Sequence, residues 1–196
     1  MGLRPLPADE WDDDARRAFA GMLPRERQHP EGAGPMLSTL VRHPDLTKSF
    51  LGFSLHLLYR STLTERLREL IILRVAHRHD CAYESHHHTE IAREAGFSDE
   101  EIEAARLGKS NDEFEQIVLS AVDELSDTSR LSDPTWAALG AQLDDRQRLD
   151  FVFTVGGYAT MAMAFNTFGL EPDEIAHKNL AHSDIEHSGH VPGNER

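Results

Sequence analysis

The stretch LTERLRELIILRVAHRHDCAYESHHHTEIAREAGFSDEEIEAARLG, residues 63–108, decides the fold. Its first half places Leu67, Leu70, Ile71, Ile72, Leu73 and Val75 around almost the whole circumference of a helix. A helix apolar on every side is buried on every side, so other helices must surround it. Thr64 starts it, because its hydroxyl accepts a bond from a free first-turn amide, and it runs to about His79. A second helix starts near Tyr83 and ends at Gly96, which suits the left-handed position after a helix. Ser98 and Glu101 form the S-x-x-E capping box of a third, ending at Gly108.

The same punctuation recurs outward in both directions, and no strand-like alternation interrupts it. Upstream, Pro7 to Met22 is an acidic amphipathic helix, and Pro24 to Pro35 (with RERQHPEGAGP) is a looping connection. A short helix at Met36–Arg42 leads to Pro44, which opens another through about Tyr59. Downstream, helices cover Asp112 to Ser126, a segment opened by Ser132–Asp133–Pro134, and the long apolar run from Asp145 to Phe168. The predicted organisation is therefore all-α: residues 1–35 a helix and connection, 36–175 a helical domain, 176–196 a polar tail. His177, His182, His187 and His190 lie in that tail without helical or zinc-finger spacing, and a solvated segment is the expectation.

Composition narrows the partners. A formal net charge of -14, from 34 acidic against 20 basic residues, repels phosphate backbones and anionic membrane surfaces, and no basic patch offsets it. The apolar run Phe151–Phe165 falls short of the roughly 20 residues of a membrane span, and the N-terminus MGLRPLPADEWDDDARR lacks an apolar targeting core. Cys81 is the only cysteine, which excludes an intrachain disulfide and points to a reducing compartment, the cytoplasm. A small molecule is the expected partner, with neither nucleic acid nor membrane.

Two helices carry the chemistry. Glu69 sits on the apolar helix with no basic residue three or four positions on, so burial is expected to raise its pKa and suit it to proton transfer. The bland alternative is a surface glutamate paired with Arg66. On the next helix Glu84 and His88 share the face of Ile91, Ala92 and Ala95, and their i, i+4 spacing lets imidazole meet carboxylate. His86 falls on the polar face and His87 at its boundary. A hydrogen bond buried for packing alone is the competing account of the Glu84–His88 pair. Cys81 stands at the helix N-terminus, which favours thiolate, while nearby Glu84 opposes it; an inert small hydrophobe is the alternative.

The segment resembles the core of the carboxymuconolactone decarboxylase and AhpD-like family. The glutamate of the first helix, the C-x-Y-C or C-x-Y-E turn, the histidine four residues later and A-x-x-A-G before a capped helix all have counterparts here. Glu69, Cys81, Glu84 and His88 occupy those places, at separations of 12, 3 and 4 residues. VGGYATMAMAFNTFGL, residues 155–170, is similar to the family's G-x-Y…N-x-x-G helix, so the resemblance covers residues 36–172. It implies an AhpD-like bundle of about six to eight helices, assembled as a homo-oligomer (trimer or hexamer), with Glu69, Cys81, Glu84 and His88 catalytic.

In the thiol-peroxidase branch two cysteines form a redox pair served by the histidine and the upstream glutamate. Glu84 stands where the second, peroxide-reacting cysteine would be. A carboxylate is no redox nucleophile, and Cys81 has no intrachain partner, so the dithiol route is disfavoured. The remaining equipment fits a lyase or isomerase passing through an enolate, on a small organic acid or lactone, with no cofactor or metal. His88 would be the acid–base group, Glu84 its orienter and Glu69 the relay, with Tyr83 or Tyr158 supplying a hydroxyl to substrate. Two other readings stand beside it. Glu84 and His88 could ligate a metal with His77, His79 or His87, or the fold could be a catalytically silent, oligomeric small-molecule binder. Gly156 and Gly157 permit close helix approach, either within the chain or between copies.

Overall fold

The computed structural model describes residues 2–172, so the histidine-containing tail lies outside the described residues. Nine α-helices and no strands are present among them. They are α1 (Asp13–Ala18), α2 (Pro30–Leu40), α3 (Pro44–Leu55), α4 (Glu65–Arg78), α5 (Ala82–Glu94), α6 (Asp99–Arg106), α7 (Glu113–Thr128), α8 (Asp133–Gly140) and α9 (Asp145–Phe168). The bundle therefore holds one more helix than the upper end of the expected range.

Helix α4 is the axis. Leu70, Ile71, Ile72, Leu73, Val75 and Ala76 are all fully or nearly buried, and α5, α6, α7 and α9 pack around them. Each such Leu or Ile contributes on the order of 1.5–3 kcal/mol by leaving water. The start signals behave as their chemistry requires. Thr64 Oγ1 accepts from the Leu67 amide at 3.2 Å. Ser98 and Glu101 close a reciprocal capping box, and Asp144 with Gln147 closes a second at the head of α9.

Two upstream expectations need correction. The predicted helix over Pro7–Met22 is a 3-10 turn (Ala8–Glu10) followed by the six-residue α1, which Asp12 caps through the Ala15 amide. The expected loop from Pro24 to Pro35 contains the start of α2. His29 Nδ1 caps it, Pro30 fills the first turn, where a missing N–H costs nothing, and a kink at Gly34 (φ 81°) absorbs Pro35.

Hydrophobic burial falls into two clusters. The larger centres on α4, α5, α7 and α9; the smaller gathers Leu6, Trp11, Phe19, Leu37, Val41 and Leu51 from the N-terminal region, α2 and α3. Met36 and Phe50 pack against both. Helix α3 then runs into a π-turn, His56–Arg60, before the chain enters α4. Asp150 of α9 pins that turn, lying 3.0 Å from His56 Nε2 and accepting from the Thr62 amide and hydroxyl at 2.5 and 2.7 Å.

Candidate active site

Helices α4 and α5 lie antiparallel across the short turn His79–Cys81, which brings Glu69 level with His88. Asp80 takes a left-handed conformation (φ 49°) there, and Asn166 of α9 donates to the His79 carbonyl at 2.7 Å. The turn thus fixes the start of α5, and with it Cys81, Glu84 and His88.

The resulting line of charges is continuous. Arg68 Nη1 donates to the Leu58 carbonyl of the π-turn at 2.7 Å, and Arg68 Nε donates to Glu69 Oε1 at 2.8 Å. Glu69 Oε2 lies 2.6 Å from His88 Nδ1, and His88 Nε2 lies 3.2 Å from Glu84 Oε2. Glu69 is completely buried, while Glu84, His88 and Arg68 are 4%, 5% and 8% exposed. A π-turn leaves carbonyls out of the regular helical ladder, and here one of them anchors the arginine.

Electrostatics follow from that geometry. Burial alone pushes His88 down, but the facing carboxylates of Glu69 and Glu84 outweigh it and raise its pKa to about 9. At neutral pH the imidazole is therefore a cation with both nitrogens donating. Burial alone pushes Glu69 up, yet the charges and hydrogen bonds of His88 and Arg68 hold its pKa below the ordinary value. The expected elevation of Glu69 is thus overturned, because its cation partners sit on the neighbouring helix and at the adjacent position. Arg66, the bland partner, instead pairs with Glu101 and Glu115.

At Cys81 burial decides between the opposing influences. The residue is 1% exposed, and burial pushes its thiol up, outweighing the amides of Glu84 and Tyr83, with the Glu84 charge adding to the rise. The helix-end effect that favours thiolate loses. Tyr158 packs edge-on to His88 with ring centroids 5.0 Å apart, and burial holds its phenol well above its ordinary pKa, so the hydroxyl stays protonated. Tyr83 packs against Phe165 and against His87, whose ring it meets at 4.3 Å. His87 is therefore turned inward rather than held at a polar boundary.

A cleft of about 80 Å³ opens beside Glu84 and His88, with Tyr83, His87 and Tyr158 also in its wall and α3 and α9 completing it. Glu69 and Cys81 do not line it. Among the described residues no group of three His, Cys, Asp or Glu side chains is placed to hold a metal ion. His77 is exposed on the far end of α4, away from His88. Arg68 is the member that sequence reasoning missed. Its signal was a charged residue beside a glutamate on a helix with no polar face to spare.

Comparison with known proteins follows the same segment. Residues 44–123 match the model of the Carboxymuconolactone decarboxylase family. That segment belongs to this family. It comprises α3 to most of α7, so it carries Arg68, Glu69, Cys81, Glu84 and His88. The fold extends beyond it. The AhpD core of an uncharacterized peroxidase-related protein from Ralstonia eutropha JMP134 superimposes with a TM-score of 0.71 at 18% identity, covering 90% of this chain and 96% of that one. The debrominase Bmp8 matches with a TM-score of 0.67 at 16% identity, covering 91% and 95%. An uncharacterized peroxidase-related protein from Silicibacter sp. TM1040 gives 0.65 at 16% identity, covering 74% and 79%. No curated protein matches the sequence. These folds show the all-helical AhpD-like architecture.

Proposed function

We propose that the protein is a non-redox acid–base enzyme that moves a proton on a small organic acid or lactone, in a decarboxylation or isomerisation passing through an enolate. The observation that carries this reading is the buried Glu69–His88–Glu84 line, which ends at the cleft wall in Glu84 and His88. Glu84 takes the substrate proton. The His88 imidazolium stabilises the negative charge that then develops, as a fixed donor in a water-poor site does. Glu69 and Arg68 hold His88 in its charged form and orientation, and the protonated Tyr158 borders the same space. This assignment makes Glu84 the base and His88 its charged companion, the reverse of the roles that sequence spacing suggested.

Dithiol peroxidase chemistry has little support, since Cys81 is the single cysteine, buried, and held as a thiol. The test is solvent exchange in D2O with a panel of small lactones and 1,3-dicarbonyl compounds. Wild type is expected to place deuterium on the acidic carbon, with Glu84→Gln and His88→Gln slower by roughly 10²–10⁴. Equal rates in both variants, or no exchange by wild type across the panel, would overturn the proposal.

We also propose that the molecule self-associates through the outer face of α9. Leu149, Phe153 and Met163 are 59%, 55% and 58% exposed there, with Gly156 between them. Leu149, Phe153, Gly156, Thr160 and Met163 carry no charge along this stripe, so a second copy of the same stripe can cover it.

A further inference from the structure

The cleft has a charge rule written into its surroundings. Phe50, Leu55, Ile91, Met161 and Phe165 give it apolar walls, and Glu84 and His88 form its ionic end. Behind that end the four buried charges, Arg68 and His88 against Glu69 and Glu84, sum to zero when the imidazole is protonated. Each cation is already engaged. Arg68 donates to Glu69 and to the Leu58 carbonyl, and the two nitrogens of His88 face Glu69 and Glu84. No arginine or lysine is among the described residues lining the cleft. An anion entering it meets the Glu84 carboxylate in apolar surroundings, where like charges are poorly screened and desolvation is uncompensated. The net charge of -14 adds a repulsive field at longer range.

We infer that the substrate is an uncharged small molecule with a weakly acidic C–H next to a carbonyl, such as a lactone or enolisable ketone, rather than a carboxylate. The inference rests on the acid–base reading of the same site and narrows it. In the step it implies, the substrate C–H bond breaks, its electron pair stays as the enolate, and the proton bonds to a Glu84 oxygen. Glu84 becomes neutral as the substrate becomes anionic, so the negative charge moves from one to the other beside the same imidazolium. The total charge of the site is zero before and after. Return of the proton to a different carbon completes an isomerisation without any oxidant, reductant or co-reactant. Of the two reactions proposed above, the charge rule favours isomerisation, because decarboxylation begins from an ionised carboxylate.

The experiment uses matched pairs of monocyclic compounds, each as a primary amide and as the free carboxylate. Binding at pH 7.5 is followed through the His88 imidazole carbon signal of the full chain, assigned by its loss in His88→Gln. The amides are expected to bind about tenfold tighter or more, since like-charge juxtaposition is strongly discriminating. Carboxylates binding as tightly as their amides would overturn the inference. Glu84→Gln removes one of the two negative charges, so carboxylates should gain on their amides in that variant; an unchanged preference would also overturn it. These outcomes are separable from failure of the acid–base reading. Deuterium exchange that persists in Glu84→Gln defeats the proposed chemistry while the amide preference stands, and carboxylate binding with Glu84-dependent exchange does the opposite.

Discussion

At the residue scale the governing fact is that His88 lies between two carboxylates and is itself nearly excluded from water. Folding raises its pKa from 6.5 to about 9, so its contribution to stability is complete below 6.5 and is lost as pH rises through about 9. The displacement corresponds to on the order of 3 kcal/mol. Glu69 runs the other way: its pKa is lowered, so its contribution is present above 4.5 and is lost as pH falls through its folded value. Stability should therefore peak between these limits. Unfolding free energy, measured at constant ionic strength, should fall from pH 6.5 to 9 in wild type and change much less in His88→Gln. A wild-type profile flat over that interval would mean the imidazolium pair is absent. The Glu84–His88 half of this cluster was legible in the sequence, because i, i+4 spacing on an apolar stripe fixes both facing and reach. The sign of the Glu69 shift was not legible. It depends on an imidazole that lies 19 positions away and on Arg68, an adjacent residue whose side chain bends back to the carboxylate while gripping a π-turn carbonyl.

At the scale of elements, the caps were read where polar side chains meet the starts of apolar runs: Thr64 and Ser98 each accept from a first-turn amide. The start of α2 was missed because proline and glycine usually mark loops, whereas here one fills a first helical turn and the other takes a kink. The two glycines of α9 separate a question that the sequence left open. A Cβ on Gly157 would come within 2.6 Å of Leu57 Cδ1 and 3.0 Å of Phe53 Cε1, so that glycine serves packing of α9 on α3 and the π-turn within the chain. Gly156 has nothing within 4 Å. Gly157→Ala is expected to destabilise by about 1–3 kcal/mol through overpacking, whereas Gly156→Ala should stabilise by about 0.5–1 kcal/mol through reduced backbone entropy loss. Urea midpoints decide between them. Similar shifts in both would remove the assigned close approach.

At the scale of the whole molecule, the all-helical class and the order of its elements follow from the buried character of α4, which needs neighbours on every side. The assembly could not be read in the same way. Helix periodicity says which faces are apolar but not whether the chain's own helices cover them. The structure leaves Leu149, Phe153 and Met163 uncovered. Phe153→Glu should lower the solution mass measured by light scattering to that of a single chain. A wild type that is already monomeric would rule out the α9 contact. The division of the interior into two clusters has its own consequence. Leu51, which lines the cleft, belongs to the smaller cluster, and Phe50 beside it packs against both clusters. Cooperative units of unequal size open at unequal free energies. Mild denaturant should therefore loosen this side of the cleft first, silencing turnover while circular dichroism still records an almost intact bundle, and amides in α2 should exchange with solvent before those of α4. Heat or solvent would then switch this protein off well before it unfolds.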